Sequence, residues 1–319
     1  MSQDQYFIAV DWGSTRLRAF LCKHSLNANI ELVARNNGPG VTKVSDSFEK
    51  TLFDCIEPWT TEYGRLPIYL AGQIGSSIGW RETEYLPCPI SPEQVASKCL
   101  IFEELGHEIS ILPGLSCLLP NQHYDLMRGE ELQVLGWLNQ RPENRKGQHL
   151  ICLPGTHTKW VFVNNGQIIM FKTAMTGELY DILVNHSILI QNKTASFDQA
   201  AFDQGAKFTL QSEAGSFVHG LFSVRSKQLF SQITGQQSTS YLSGLLIGSD
   251  VRAAINANEW NVDSLDKIAL IGAPHLSKSF ARVLELEGYK TEICKLTQTT
   301  LAGFSSVFRA TESSLITTS

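Results

Sequence analysis

Two stretches of this chain share one alternation of apolar and polar positions. Phe7–Phe20, FIAVDWGSTRLRAF, and Leu150–Val163, LICLPGTHTKWVFV, each run as an apolar strand, a small polar turn, and a second strand alternating basic or polar with apolar residues. They begin about 140 residues apart. A chain of this length accommodates about two domains, so the repeat predicts two related domains facing one cleft.

The rest of the pattern fills in around these hairpins. A polar stretch, NNGPGVTKVSDS, leads to an amphipathic helix over Phe48–Tyr63, and a buried strand, Pro67–Ala71, runs into the glycine-rich loop GQIGSSIGW, a strand-end position where ligands are met. A helix near Pro92–Leu105, a short strand Ile109–Leu112, an irregular segment PGLSCLLPNQHYDLMRG and a helix Glu130–Asn139 follow. The polar run Arg141–His149 reads as a linker, dividing an N-terminal domain, 1–145, from a C-terminal domain, 146–319. Beyond it, Asn164-Asn165-Gly166 is a tight-turn signal leading into a strand Gln167–Lys172. Thr176 is placed to cap the next helix, and further helical patterns lie near Ser216–Ile233 and Tyr241–Trp260. A strand Lys267–Ile271 enters Gly272-Ala273-Pro274-His275, a helix runs to Glu287, and a strand and helix occupy Lys290–Ala310. Strands lead and helices follow in both halves, which predicts a mixed α/β sheet in each.

Composition narrows the classes. With 319 residues, 43% hydrophobic and 18% charged, the chain has material for two buried cores and too little charge for a disordered tail. A formal net charge of −5 argues against nucleic acid as a partner. No stretch approaches the roughly 18 apolar residues of a membrane span, and the N-terminus lacks a signal-peptide pattern, so a cytoplasmic protein is expected. The seven cysteines show no Cys-x-x-Cys pair and read as free thiols.

Backbone N–H groups and hydroxyls in the two turns suit phosphate oxygens, and the Asp11 carboxylate suits a hydrated metal, which points to a nucleotide held between them. The plainer reading of Asp11 is an acceptor for backbone N–H groups in a hairpin turn. Acidic residues at 130 and 131 open a helix, where they favour the macrodipole whatever else they do.

DWGST, AGQIGS, MRGEE, PGTHTKW, MTGEL and SGLLIGSD, in this order, resemble the 2-dehydro-3-deoxygalactonokinase family of the sugar kinase/actin-like ATPase superfamily, from Ile8 to about Gly303. The resemblance implies two ribonuclease-H-like domains with a central interdomain cleft, the first on the sugar-acid and metal side and the second on the nucleotide side. It implies ATP and Mg2+ as cofactors, and phosphorylation of the 6-hydroxyl of 2-dehydro-3-deoxy-D-galactonate in galactonate breakdown. Asp11 would hold magnesium through water, and Gly13, Ser14 and Thr15 would form the first phosphate turn. Gly155, Thr156 and His157 would form the second, which departs from the superfamily in carrying Pro154 where Asp is common. For His157 the plain alternative is a turn histidine bonded to backbone. Glu130 matches the position of the catalytic base, with Glu131 and Asp125 as alternatives. Gly72 and Gln73 belong to the loop that reaches the sugar, while Trp12 and Trp80 either wall the pocket or lie in the core. Gly272 and Ala273 match the adenosine motif, and the SGLLIG helix a hinge or plain packing. Arg16 and Arg128 stand beside motifs and offer planar recognition of the substrate carboxylate, or else form salt bridges. The partner expected is a small sugar acid, with homodimerisation open. The rivals are a kinase for another sugar acid, a non-catalytic nucleotide or sugar sensor of the same fold, and, least favoured, a phosphatase or ATP hydrolase.

Overall fold

A computed structural model describes residues 5–24, 30–191, 196–211 and 217–317, with side chains to residue 311. The chain forms two compact units: Met1–Gln148 with Val163–Phe171 and Leu296–Ser319, and His149–Phe162 with Lys172–Lys295. The first break thus falls inside the polar run expected to be the linker. The single division at 145/146 does not describe the C-terminal segment, which groups with the first unit for reasons of packing given below.

The first unit contains β1 Gln5–Trp12, β2 Arg16–His24, β3 Glu31–Pro39, α1 Phe48–Tyr63 and β4 Ile68–Ala71. It continues through β5 Tyr85–Pro87, α2 Pro92–Ala96, β6 Leu100–Glu104, β7 His107–Ile111, β8 Gly114–Leu118, β9 Tyr124–Met127 and α3 Glu130–Gln140. Its main sheet has the order β3-β2-β1-β4-β7-β6. β1, β2 and β3 pair antiparallel, and β4 and β7 extend the sheet in parallel beyond β1. Every residue of β1 from Phe7 to Trp12 is buried, as expected of a central strand covered on both faces. Ile8 and Val10 join the core beneath α1, with Leu52, Ile56 and Trp59. Trp12 belongs to that core: it is fully buried, its indole N–H donates to Pro39 O at 3.0 Å, and it packs edge-on to Phe48. Trp80, half-buried, packs edge-on to Phe102.

Phe7, on the same strand, stacks on Phe308 of α9 Leu296–Thr317, with ring centroids 4.6 Å apart. α9 lies against α3 so closely that a Cβ built on Gly136 would stand 1.8 Å from Thr299 O. This close approach and the stacked ring place the end of the chain in the first unit.

Two local expectations are overturned by pairing. The helix expected over 92–105 ends at Ala96, because Leu100–Glu104 is held as an edge strand against β7, with Leu100 opposite Ile111. The segment expected to be irregular supplies β8 and β9, which join β5 in a three-stranded sheet.

The second sheet draws on β10 Gln148–Leu153, β11 Thr158–Asn164 and β12 Gln167–Ala174, whose residues Gln148 and Val163–Phe171 group with the first unit, and α4 Thr176–Asn185 follows in the second. Helices α5 Gln199–Gln211, α6 Phe217–Leu229 and α7 Gly235–Ile255 come next, then β13 Ile268–Gly272, α8 Pro274–Leu286 and β14 Thr291–Lys295. The sheet order is β12-β11-β10-β13-β14, with β10, β13 and β14 parallel. That is the arrangement β3-β2-β1-β4-β7 of the first unit repeated, so the two hairpins seen in the sequence begin two sheets of one topology. Both units are ribonuclease-H-like. α5 was not expected. A Cβ on Gly244 of α7 would stand 2.0 Å from Phe202 O of α5, so the small residues of SGLLIG let these two backbones meet. Among the described residues no helix is long and apolar enough to cross a membrane.

Candidate active site

In the first unit, three of the motifs meet where β1 and β4 end side by side, Asp11 opposite Ala71. Gly72, at φ +98°, lies so close that a Cβ on it would stand 2.8 Å from Trp12 O. Gly129, at φ +109°, would place a Cβ 3.3 Å from the Gly72 Cα. Only glycine allows both the backbone conformation and the approach. DWGST, AGQIGS and MRGEE therefore converge at the carboxyl ends of parallel strands, where open α/β sheets bind ligands.

Asp11 is buried and pairs with Arg18, opposite it on β2, at 2.9 Å. Burial raises its pKa, and the Arg18 guanidinium offsets part of that rise. In the turn, the Gly13 N–H closes on Arg16 O at 3.0 Å, and Ser14, Thr15 and Arg16 are exposed. A Cβ on Gly13 would meet nothing nearer than 3.8 Å, so the turn opens on free space. Its other side is braced: Val41 N–H donates to Gly13 O and Thr42 N–H to Ser14 O. The Asn/Gly stretch before α1 thus seats the turn.

Glu130 is the first residue of α3, half-buried, and its Oε2 accepts from Arg128 N–H at 3.1 Å. Glu131 is fully buried and folds back to accept from Gly129 N–H, at 2.8 and 2.7 Å. Asp125 sits on β9, accepting from Leu126 N–H. Burial first, and the neighbouring Glu130 second, push the Glu131 carboxyl up to about 8. A carboxyl raised in the folded state stabilises the fold fully below its unfolded pKa of about 4.3. That contribution is lost as pH rises towards about 8. Urea midpoints measured from pH 5 to pH 8 should therefore fall for the wild-type chain and fall less for Glu131→Gln; equal slopes would show that Glu131 is not the group responsible.

Arg128 is buried, and its guanidinium donates to Thr83 Oγ1, to Thr83 O at 2.8 Å and to Tyr85 Oη at 3.3 Å, while lying 4.2 Å over the Tyr85 ring. Each of its three guanidinium nitrogens donates once inside the protein, tying the loop after β4 to the turn before α3. Gln73 is half-buried in that loop.

In the second unit the turn between β10 and β11 is the counterpart of the first. Gly155 and Thr156 line a cavity of about 770 Å3, together with Thr158, Thr176, Tyr180, Phe197, Ser243 and residues of α8 from His275 to Arg282. A Cβ on Gly155 would meet only His157 O, at 3.8 Å, whereas one on Gly177 would stand 2.4 Å from Gly155 O. The MTGEL segment is thus packed directly on the turn, and Glu178 N–H donates to Thr156 O at 2.9 Å. His157 Nε2 meets Glu178 Oε2, so its partner is a carboxylate rather than a backbone group. Thr176 does not cap its helix: Met175 holds that position, and the Thr176 hydroxyl donates to the buried Asp250. Gly272 and Ala273 form the turn from β13 into α8, and the Gly272 backbone faces Pro154 O, at 2.8 Å from a Cβ built there.

Two sheets of one topology, each with a glycine turn between its first two strands and one turn opening on a cavity of about 770 Å3, define the class as a duplicated ribonuclease-H-like α/β fold. Residues 11–307 match the family described as 2-keto-3-deoxy-galactonokinase. The chain belongs to the 2-keto-3-deoxy-galactonokinase family. It is 31% identical over 314 residues to a probable 2-dehydro-3-deoxygalactonokinase of Rhizobium meliloti, covering 97% of this chain and 99% of that protein. It is 34% identical over 249 residues to the 2-dehydro-3-deoxygalactonokinase of Escherichia coli, covering 77% and 79%. A solved structure of a Sinorhizobium meliloti protein bearing the 2-dehydro-3-deoxygalactonokinase name superposes with a TM-score of 0.81 at 30% identity, over 96% of each chain.

Proposed function

We propose that this chain transfers the γ-phosphoryl group of ATP to the 6-hydroxyl of 2-dehydro-3-deoxy-D-galactonate, a step of galactonate breakdown in the cytoplasm. Family membership carries the kinase reading. The observation supporting the site is the close approach of the backbone at 12–13, 72 and 129, which brings together, in one folded unit, the strand end that carries Asp11, the first glycine turn and the turn that leads into Glu130.

The residues divide the work. The cavity of the second unit takes the nucleotide, with Gly155 and Thr156 towards the phosphates and the start of α8 towards the nucleoside. Gly13, Ser14 and Thr15 present a second open turn to phosphate oxygens. Glu130 accepts the proton of the attacking 6-hydroxyl at a carboxylate oxygen as the new O–P bond forms and ADP leaves. Exposed Arg16 is the candidate for the substrate carboxylate, since the Arg128 donors are already committed to Thr83 and Tyr85. Gly72 and Gln73 shape the sugar side.

Among the described residues no cluster of three or more His, Cys, Asp or Glu could hold a metal unaided. Asp11, one buried carboxylate beside an open turn, fits magnesium, which keeps several waters and takes further ligands from substrate phosphates. When bound, magnesium would neutralise phosphate charge. Here Asp11 would be its anchor and Arg18 the group that holds Asp11 in place.

ADP release with ATP and magnesium tests the reading. Release is expected with 2-dehydro-3-deoxygalactonate and not with galactonate or without acceptor. Release only with another sugar acid would transfer the assignment to that acid, and no acceptor-dependent release at all would leave the sensor.

A further inference from the structure

The turn between β10 and β11 follows Pro154. A carboxylate from far along the chain bonds the strand that leaves this turn and the helix start that packs on it. Asp250, on α7, is 7% exposed. Its Oδ1 accepts from the Trp160 indole N–H of β11 at 2.8 Å, and its Oδ2 accepts from the Thr176 hydroxyl at 2.5 Å. Thr158 lies close enough that its hydroxyl helps to hold down a carboxyl which burial otherwise raises. The Thr158 oxygen is fully buried and makes no hydrogen bond of good geometry. Thr158 and Thr176 both form the cavity wall. A fully buried hydroxyl without a partner is costly unless something else satisfies it, and the cavity is where that partner would arrive.

We infer that Asp250 is a positioning residue for the nucleotide: it fixes the Thr176 hydroxyl, and through it the MTGEL segment, beside the unpartnered Thr158 hydroxyl, so that the 155–156 turn is shaped before the phosphates bind. The inference rests on the nucleotide reading of the cavity. Two features make the carboxylate specific for the task. Both groups bonded to it donate, and the Trp160 N–H can only donate, so an amide at 250 would keep its oxygen there and turn its NH2 to the Thr176 hydroxyl, reversing that bond and removing its charge assistance. Its two oxygens also hold different elements, β11, which leaves the turn, and the start of α4, which packs on it.

The test is ADP affinity by calorimetry, with thermal midpoints measured in parallel. Loss of a charge-assisted hydrogen bond that positions the ligand site should weaken ADP binding roughly tenfold or more in Asp250→Asn. Thr176→Val, which removes the hydroxyl and nearly keeps the shape, should weaken it similarly, and Thr176→Ser should restore it. Trp160→Phe, which removes the arm farther from the cavity, should lower the thermal midpoint more than the affinity. ADP binding that stays at the wild-type value in folded Asp250→Asn and in Thr176→Val overturns the positioning role, even if both melt earlier. If Asp250→Asn does not fold, the Val and Ser pair at 176 decides alone. A wild-type chain that binds no ADP would overturn the nucleotide reading itself, and this inference with it.

Discussion

Glu130→Gln is expected to reduce turnover by roughly 10²–10⁴-fold, the usual contribution of a positioned general base, with a thermal midpoint near that of the wild-type chain. Glutamine keeps the size and the acceptor oxygen that meets Arg128 N–H, so the α3 N-terminus stays tied while proton acceptance is lost. The competing account is that Glu130 only complements the helix macrodipole. In that case about 0.3–1 kcal/mol of stability would be lost and turnover would barely change. Steady-state kinetics and a thermal melt on one preparation separate the two. Of the other acids considered, Glu131 is fully buried and folded back on Gly129, and Asp125 bonds Leu126 N–H on β9. Glu130 is the half-buried acid of the three that heads α3.

The second large effect is expected at Gly136, where α3 and α9 meet. An added Cβ would stand 1.8 Å from Thr299 O and 2.8 Å from Gly303 N, both backbone atoms. The helices must separate to admit it. Overpacking of this kind costs about 1–3 kcal/mol and sometimes more, so Gly136→Ala should lower the midpoint by several degrees, by about 2–4 °C per kcal/mol for a domain of 150–250 residues. Gly136→Val should be worse. Since α3 begins with Glu130 and Glu131, its displacement should reduce turnover as well. An alanine variant with wild-type melting would show that the helices are not in the contact described.

The legible parts of this fold were those whose signal is local. Each glycine turn follows an apolar strand and precedes an alternating one, and the sheets form around them. α5 leaves little hydrophobic signal in the sequence because its buried positions, Ala201, Phe202, Gly205, Ala206 and Thr209, are mostly small. The same property lets it lie backbone to backbone on α7, so the feature that makes the packing tight makes the helix hard to read. β6, β8 and β9 are short strands fixed by their neighbours in the sheet, and local propensity is a weak prior there. Asp250 ends the SGLLIGSD motif, yet its bonds reach Thr176 and Trp160 across sequence separations of 74 and 90 residues. Arg128 shows the limit from the other side: its place next to a motif left substrate contact and internal pairing both open, and the bonds it makes go to Thr83 and Tyr85, more than 40 residues earlier.

α9 has a consequence for how this protein is made. As the chain emerges from the ribosome, β1 is synthesised first and the ring that stacks on its Phe7 belongs to residue 308. All of the second unit's residues, from His149 to Lys295, are translated between them. The nascent first unit must therefore wait with the Phe7 face of its central strand uncovered while the other unit is already complete in sequence. Exposed apolar surface of this kind is where newborn chains aggregate. A ribosome that stops before α9 would release a polypeptide with a whole second unit and an unfinished first one, a product for chaperones and proteases to recognise.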